Sequence, residues 1–75
     1  MLYLKSAQPV PGKGTAYTYY ETDAEHNIKR MMTAIPETNE ITLYPEPKLK
    51  KVFMPEMLSD VPEEEFTDLW NKASQ

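Results

Sequence analysis

The fold is decided by residues 27–35, which read NIKRMMTAI and fit two different secondary structures. Ile28, Met31, Met32 and Ile35 have the spacing of one helix face, and a proline follows directly, as at many helix ends. A strand would instead alternate the side chains, with Met32 on one face and Met31 on the other. The local pattern slightly favours the helix, so the neighbouring segments have to decide.

Both neighbours of this stretch have strand character. Residues 15–22, TAYTYYET, are rich in aromatic and β-branched residues, and alternation places Tyr17 and Tyr19 on one face with Tyr20 on the other. Residues 40–44, EITLY, alternate in the same way, and residues 36–39 suit a hairpin connection of about four residues. With residues 23–26 as a turn, a strand over 27–35 would complete a short antiparallel meander.

The remaining segments lie on either side of these three predicted strands. Residues 2–5 alternate as a first strand, and residues 8–14, with two prolines and both glycines, predict a flexible loop. Pro45 and Pro47 end the sheet, since proline is not tolerated in central strands. We expect residues 48–58 to cross the surface in extended form, with one more short strand at 50–54 and four apolar anchors: Leu49, Val52, Phe53 and Met57.

The last element is an amphipathic helix. Asp60 is a good N-cap and Pro62 suits the first turn. An apolar stripe follows at helical spacing, comprising Phe66, Leu69, Trp70 and Ala73. We expect this stripe to cover one sheet face, with Trp70 contributing most, about 2–3 kcal/mol, and residues 74–75 to form a tail.

The order of certain residues resembles a family of small uncharacterised bacterial proteins. The matching positions are Tyr19, Glu21, Asp23, Glu25, Lys29, Arg30, Pro36, Glu64, Glu65, Phe66 and Trp70. The family's hairpin glycine is absent here, where residues 37–39 read ETN. The resemblance implies a strand over residues 27–35. The predicted fold is therefore α+β: an antiparallel β-meander of three to five strands with one C-terminal helix packed on one face.

Composition limits the possible functions. The 75 residues suit a single domain, 1–75, and the absence of cysteine favours a reducing, cytoplasmic setting without disulfides. The N-terminus does not read as a signal peptide, and no apolar run reaches the roughly 20 residues of a membrane span. The net charge of −4 disfavours direct nucleic-acid binding, despite a short lysine run at residues 48, 50 and 51.

No catalytic, metal-binding or cofactor-binding constellation is predicted. His26 is the only histidine and falls in a turn, where a solvated role is expected. Glu21, Asp23 and Glu25 alternate and could share one face, but a calcium loop needs more oxygen ligands. We expect them to form a charged strand end, paired with Lys29 or Arg30. The chain is accordingly predicted not to be an enzyme.

The sequence instead points to a contact surface. One helix can cover only one face of the sheet, so the other face is expected to expose apolar side chains. Residues 63–65 form an acidic run that also suits the positive end of the helix dipole. The candidate partner-binding residues are Tyr17, Tyr19, Met31, Tyr44, Glu63, Glu64 and Glu65.

Three functions follow from these observations. The first is a non-enzymatic module that binds a protein partner or itself, such as an immunity- or inhibitor-type protein of a bacterial or phage system. The second is an acidic mimic of nucleic acid that binds a basic enzyme. The third and least favoured is a small enzyme that uses His26 as an acid or base.

Overall fold

The computed structural model describes residues 1–48, 50–52 and 54–74, and over these residues the chain forms a five-stranded antiparallel sheet with one helix. The predicted α+β class is confirmed. The strands lie in the order β4-β3-β2-β1-β5, so β4 and β5 form the two edges. In chain order the elements are β1 (Leu2–Val10), β2 (Gly14–Thr22), β3 (Ile28–Ile35), β4 (Glu40–Tyr44), a 3₁₀ turn (Pro55–Met57), β5 (Ser59–Asp60) and α1 (Glu63–Ser74).

Residues 27–35 contain the strand β3 and not a helix. β3 pairs with β2 on one side and with β4 on the other, and Met32 lies between Tyr19 and Leu43. Met32 is fully buried, whereas Met31 belongs to the opposite face and is half-buried. The helical spacing of the apolar residues is overruled because a strand here completes two ladders of hydrogen bonds, which a helix could not.

The β1–β2 connection is shorter than the flexible loop predicted over residues 8–14. The backbone N–H of Lys13 donates to the carbonyl of Val10 at 3.0 Å, and Gly12 has a φ of 81°. Proline followed by glycine with positive φ is the signature of a type II turn. β1 therefore extends to Val10, and Pro9 is tolerated because β5 pairs only with Leu4 and Lys5, which leaves this part of β1 at an edge.

The two other hairpin connections use polar residues in place of glycine. Asn39 adopts a left-handed φ of 60° directly before β4, in the predicted four-residue connection 36–39. Between β2 and β3, the Asp23 carboxylate accepts hydrogen bonds from the side chain and backbone of Asn27, both at 3.0 Å, and from the backbone of Glu25 at 2.9 Å. These bonds, chiefly those from Asn27, lower the pKa of Asp23 to about 2.

The core lies between the sheet and α1. Phe66 is fully buried at its centre, and its ring stacks on Trp70 with centroids 5.9 Å apart. Trp70 is only half-buried, so the most deeply buried side chain of the helix is Phe66 and not Trp70 as expected. Other side chains packed in this layer are Tyr3, Tyr17, Tyr19, Met32, Ala34, Ile41, Leu43, Val61 and Leu69.

The ends of α1 differ from the prediction. Asp60 does not cap the helix, because it lies in β5 opposite Leu4. The first helical hydrogen bonds go to the carbonyl of Pro62, from the backbone N–H of Glu65 at 3.1 Å and of Phe66 at 3.4 Å. Ser74 is the last helical residue rather than part of a tail, and Gln75 lies outside the described residues.

The segment from Pro45 to Leu58 carries the chain from the β4 edge to the β1 edge. The backbone N–H of Ile28 donates to Lys50 at 2.8 Å, and that of Val52 donates to His26 at 3.0 Å. This forms a single bridge between Asn27 and Lys51 rather than the strand predicted at 50–54. Among the four predicted anchors, Val52 is buried, Met57 is 72% exposed, and Leu49 and Phe53 lie outside the described residues.

Within the described ranges, the one helix is too short and too polar to cross a membrane.

Candidate functional site

The pairing register assigns every strand residue to one of two faces, called here the helix face and the open face. Tyr19 pairs with Met32, and Tyr17 pairs with Ala34; all four belong to the layer that packs around Phe66. Tyr17 and Tyr19, two of the candidate partner-binding residues, therefore lie on the helix face. α1 covers this face, and Tyr19 is left only 6% exposed.

The open face carries an apolar row that runs across four strands. Register pairs place Leu4 opposite Tyr20, Tyr20 opposite Met31, and Met31 opposite Tyr44. Exposure rises along this row, from 6% at Leu4 to 40% at Tyr44. Val52, whose backbone N–H donates to His26 next to Ile28, is buried like Leu4 and Ile28. Met31 and Tyr44, two further candidate partner-binding residues, thus lie on the open face.

A second row on the open face is made of hydroxyl side chains. Ser6 pairs with Thr18, Thr18 with Thr33, and Thr33 with Thr42. None of these four side chains is buried. Sequence reasoning missed this hydroxyl row, although threonine at alternate positions in adjacent predicted strands was a usable signal once the register was known.

A groove of about 380 Å³ opens beside the exposed end of the apolar row. Met31 and Tyr44 form its sheet side, and Pro47 lies buried in its other wall. Glu46 and Lys48 contribute one charge of each sign to its lining. The groove therefore offers apolar contact with polar groups around it, which is the composition of a binding surface.

On the helix face, Glu21 and Arg30 form a paired group beside the aromatic core. The Arg30 guanidinium donates to both carboxylate oxygens of Glu21, from Nε at 2.8 Å and from Nη2 at 2.7 Å, and Tyr3 donates its hydroxyl at 3.0 Å. Arg30 also lies over the rings of Trp70 and Phe66, at 4.7 Å and 5.2 Å from their centroids. The hydrogen bonds from Arg30 hold the pKa of Glu21 below its usual value.

The three alternating carboxylates do not form a common site. Glu21 is buried in the pair with Arg30, Asp23 organises the turn and lies 3.8 Å from the Lys29 ammonium, and Glu25 is exposed. The predicted pairing with Lys29 and Arg30 is confirmed. Glu21 and Asp23 therefore each have a cationic partner that accounts for their positions.

The three acidic residues at the start of α1 differ in whether they contact other side chains. Glu63 and Glu64 are exposed, but Glu65 accepts a hydrogen bond from the Tyr19 hydroxyl at 3.0 Å and lies 3.7 Å from the Lys5 ammonium. Burial, together with this bond to Glu65, raises the pKa of Tyr19 to about 12. The Glu65 side chain nevertheless remains 41% exposed, so the contact role of residues 63–65 stays a prediction.

His26 occupies the β2–β3 turn with a left-handed φ of 67° and is half-buried. In the described part of the chain, no three potential metal-ligating side chains from His, Cys, Asp and Glu come together. His26 therefore belongs to no such cluster among the described residues.

No protein-family model, no curated protein and no solved structure matches this chain. The resemblance based on the residues from Tyr19 to Trp70 stays a prediction.

Proposed function

We propose that this protein is a small non-enzymatic interaction module that contacts a protein partner through the exposed end of the open face. The observation that carries the proposal is the position of Tyr44. Its side chain is 40% exposed, lies next to Met31, and borders the groove on a face that α1 does not cover. Tyrosine and methionine are both enriched where proteins meet.

The arrangement around Tyr44 has the anatomy of an interface. The apolar row provides a centre of Tyr20, Met31 and Tyr44, and the hydroxyl row lies beside it along the same face. Interfaces combine an apolar centre, which supplies most of the binding energy, with a polar rim. We expect Tyr44 to act as an anchor residue and the threonines to supply hydrogen bonds at the rim.

The polar groups elsewhere support a binding role over catalysis. Every buried side-chain nitrogen and oxygen in the described residues has a hydrogen-bond partner. Glu21, the only buried carboxylate among them, is held by Arg30 and Tyr3, and its pKa is lowered rather than raised. A general acid at neutral pH requires the opposite shift.

The charge of the chain favours a basic partner. The net charge is −4, and Glu63 and Glu64 are exposed at the start of α1. A field of one sign speeds association with a partner of the other sign. A small acidic protein that binds a basic partner would suit an inhibitor- or immunity-type role in a bacterial or phage system. A nucleic-acid mimic is less well supported, since Glu65 is engaged by Tyr19 and Lys5.

The proposal is tested by comparing partner capture with three forms of the protein. These are the wild type, Tyr44→Ser, and Met57→Ser as a matched control that removes another exposed apolar side chain, 72% exposed and outside the sheet. Bound proteins are quantified by mass spectrometry, and the affinity of each purified candidate is then measured by calorimetry.

The account predicts a partner that the wild type and Met57→Ser retain equally and that Tyr44→Ser binds at least tenfold more weakly. Loss of an anchor side chain commonly weakens binding by about 2 kcal/mol, which is more than tenfold. A partner held equally by all three forms would place the contact elsewhere. If no protein is enriched over a blank matrix, the interaction role is refuted.

A further inference from the structure

The outer side of β4 is an unpaired sheet edge. β4 pairs with β3 along its whole length, Glu40 to Tyr44, and no other strand of the described chain lies beyond it. Alternate residues of an edge strand direct their backbone N–H and C=O groups outward, where they remain available to another strand. Such an edge is a template for a further strand in the same sheet.

The two edges of the sheet differ in how they are protected. At the opposite edge, β5 covers Leu4 and Lys5, and Pro9 interrupts the remainder of β1 with a residue that has no N–H. In the described chain, β4 has neither a covering strand nor a proline to protect its outer edge. It contains no proline and no lysine, its register with β3 is continuous, and its central residue Thr42 is exposed.

The sequence of β4 is self-complementary in an antiparallel register centred on Thr42. A two-fold axis perpendicular to the sheet preserves the faces, so that Ile41 meets Leu43 of the second copy on the helix face. Both side chains are half-buried and gain cover from this contact. On the open face, Glu40 meets Tyr44 of the second copy, where the phenol hydroxyl can donate to the carboxylate.

Other registers would pair fewer residues of β4 or mismatch the two faces. A shift of one residue would place helix-face side chains opposite open-face side chains. A shift of two residues in one direction brings in Pro45, which has no N–H to donate. The same shift in the other direction brings in Asn39, whose φ of 60° is incompatible with an extended strand. Only the register centred on Thr42 pairs all five residues of β4.

The charge along this edge does not oppose the contact. Glu40 is the single ionisable acid of β4, and the Lys13 ammonium donates to both of its carboxylate oxygens at 3.2 Å. The remaining repulsion comes from the net charge of −4 on each copy, which acts over longer distances and is screened by salt. Association of the two copies should therefore strengthen as the salt concentration rises.

We propose that β4 pairs antiparallel with β4 of a second copy of this chain around Thr42, which joins the two sheets into one. This pairing rests on the backbone of β4 at the edge of the sheet and does not require the partner contact proposed above, although the Tyr44 side chain borders both. A five-residue strand pair makes a small interface, typical of weak and reversible dimers.

The test uses opposite charges placed at the two-fold axis. In Thr42→Lys and in Thr42→Glu, identical charges face each other in the homodimer, and each variant should associate at least tenfold more weakly than the wild type. In an equimolar mixture of the two variants the opposite charges meet, and dimerisation should return. Thr33→Lys mixed with Thr33→Glu is the control, with the same charges on the same face but one strand away from the edge.

Sedimentation equilibrium from tens of micromolar to about 1 mM measures each association constant, a range that suits weak complexes. Circular dichroism of every variant confirms that the sheet is intact. The proposal predicts a wild-type dimer that salt strengthens and a mixed Thr42 dimer that salt weakens. A wild type that stays monomeric over this range would overturn the proposal. So would Thr42→Lys or Thr42→Glu variants that associate as strongly as the wild type, or a Thr33 mixture that behaves like the Thr42 mixture.

Discussion

Replacing Arg30 with alanine removes the cationic partner of Glu21, the only buried carboxylate in the described part of the chain. The change deletes two charge-assisted hydrogen bonds of 2.7 and 2.8 Å and leaves Glu21 with the Tyr3 hydroxyl alone. It also removes a cation from above the Trp70 ring, where the guanidinium lies 4.7 Å from the centroid. The free energy of unfolding should therefore fall substantially.

The size of this loss follows from partial burial. Breaking a fully buried ion pair costs about 3–5 kcal/mol, and an exposed pair contributes about 0–1 kcal/mol. The side chains of Arg30 and Glu21 are 33% and 10% exposed, so about 2 kcal/mol is appropriate for the pair. The contacts over the two rings add about 1 kcal/mol. For a domain of this size, a loss of about 3 kcal/mol lowers the melting temperature by about 15 °C.

Urea unfolding followed by circular dichroism measures the change, with Lys29→Ala as the control. Lys29 neighbours Arg30, but its ammonium is exposed and lies 3.8 Å from Asp23, so its loss should change stability by less than about 0.5 kcal/mol. Comparable effects of the two substitutions would refute the assignment of a stabilising role to the Arg30 pair.

The same pair gives a pH dependence with a definite sign. The folded-state pKa of Glu21 lies below its usual value of 4.5, so the carboxylate stabilises the fold above that pH and loses this effect as the pH falls through the lowered pKa. The free energies of unfolding of the wild type and Arg30→Ala should therefore differ most near neutral pH, and the difference should shrink as the pH falls. A constant difference between them down to pH 2 would contradict this account.

Three further outcomes follow from local geometry. Asp23→Ala removes the hydrogen-bond acceptor that organises the β2–β3 turn. Because the pKa of Asp23 is lowered to about 2, the wild type should be more stable than this variant above pH 4, and acid unfolding should show this difference disappear between about pH 4 and 2. The pKa of Tyr19 is raised to about 12, so its neutral hydroxyl stabilises the fold below pH 10, and this stabilisation is lost between pH 10 and 12. Tyr19→Phe should remove the last step of the phenol titration followed by ultraviolet absorbance. Gly14→Ala should lower thermal stability by about 1–2 kcal/mol, since Gly14 has a φ of 96° and a β-carbon would meet the Glu37 carboxylate; an unchanged melting temperature would rule out that constraint.

The sequence predicted most of the elements because their signals are local. Alternation in residues 15–22 and 40–44 and the apolar stripe beginning at Phe66 each reflect the face that is buried. In residues 27–35 the apolar side chains have helical spacing, so the local signal slightly favours the wrong structure. Only pairing with β2 and β4 made the strand preferable there.

The candidate site was harder to predict, because it depends on which face α1 covers. Alternation correctly separated Tyr19 from Tyr20, yet nothing in the sequence indicates that the Tyr19 side is the one that packs on Phe66. The hydroxyl row and the pair between Glu21 and Arg30 depend on inter-strand register, and a β-bulge after Glu21 shifts that register by one residue. Periodicity along one strand contains no such information.

Methyl NMR with a soluble paramagnetic probe measures whether the end of the open face around Met31 and Tyr44 is accessible to solvent. The account predicts strong relaxation enhancement at the methyl groups of Met31, Thr33 and Thr42, and weak enhancement at Met32 and Leu43 beneath α1. Similar protection of Met31 and Met32, measured in dilute solution, would mean that both faces are closed, and the surface on which the proposed function depends would not exist.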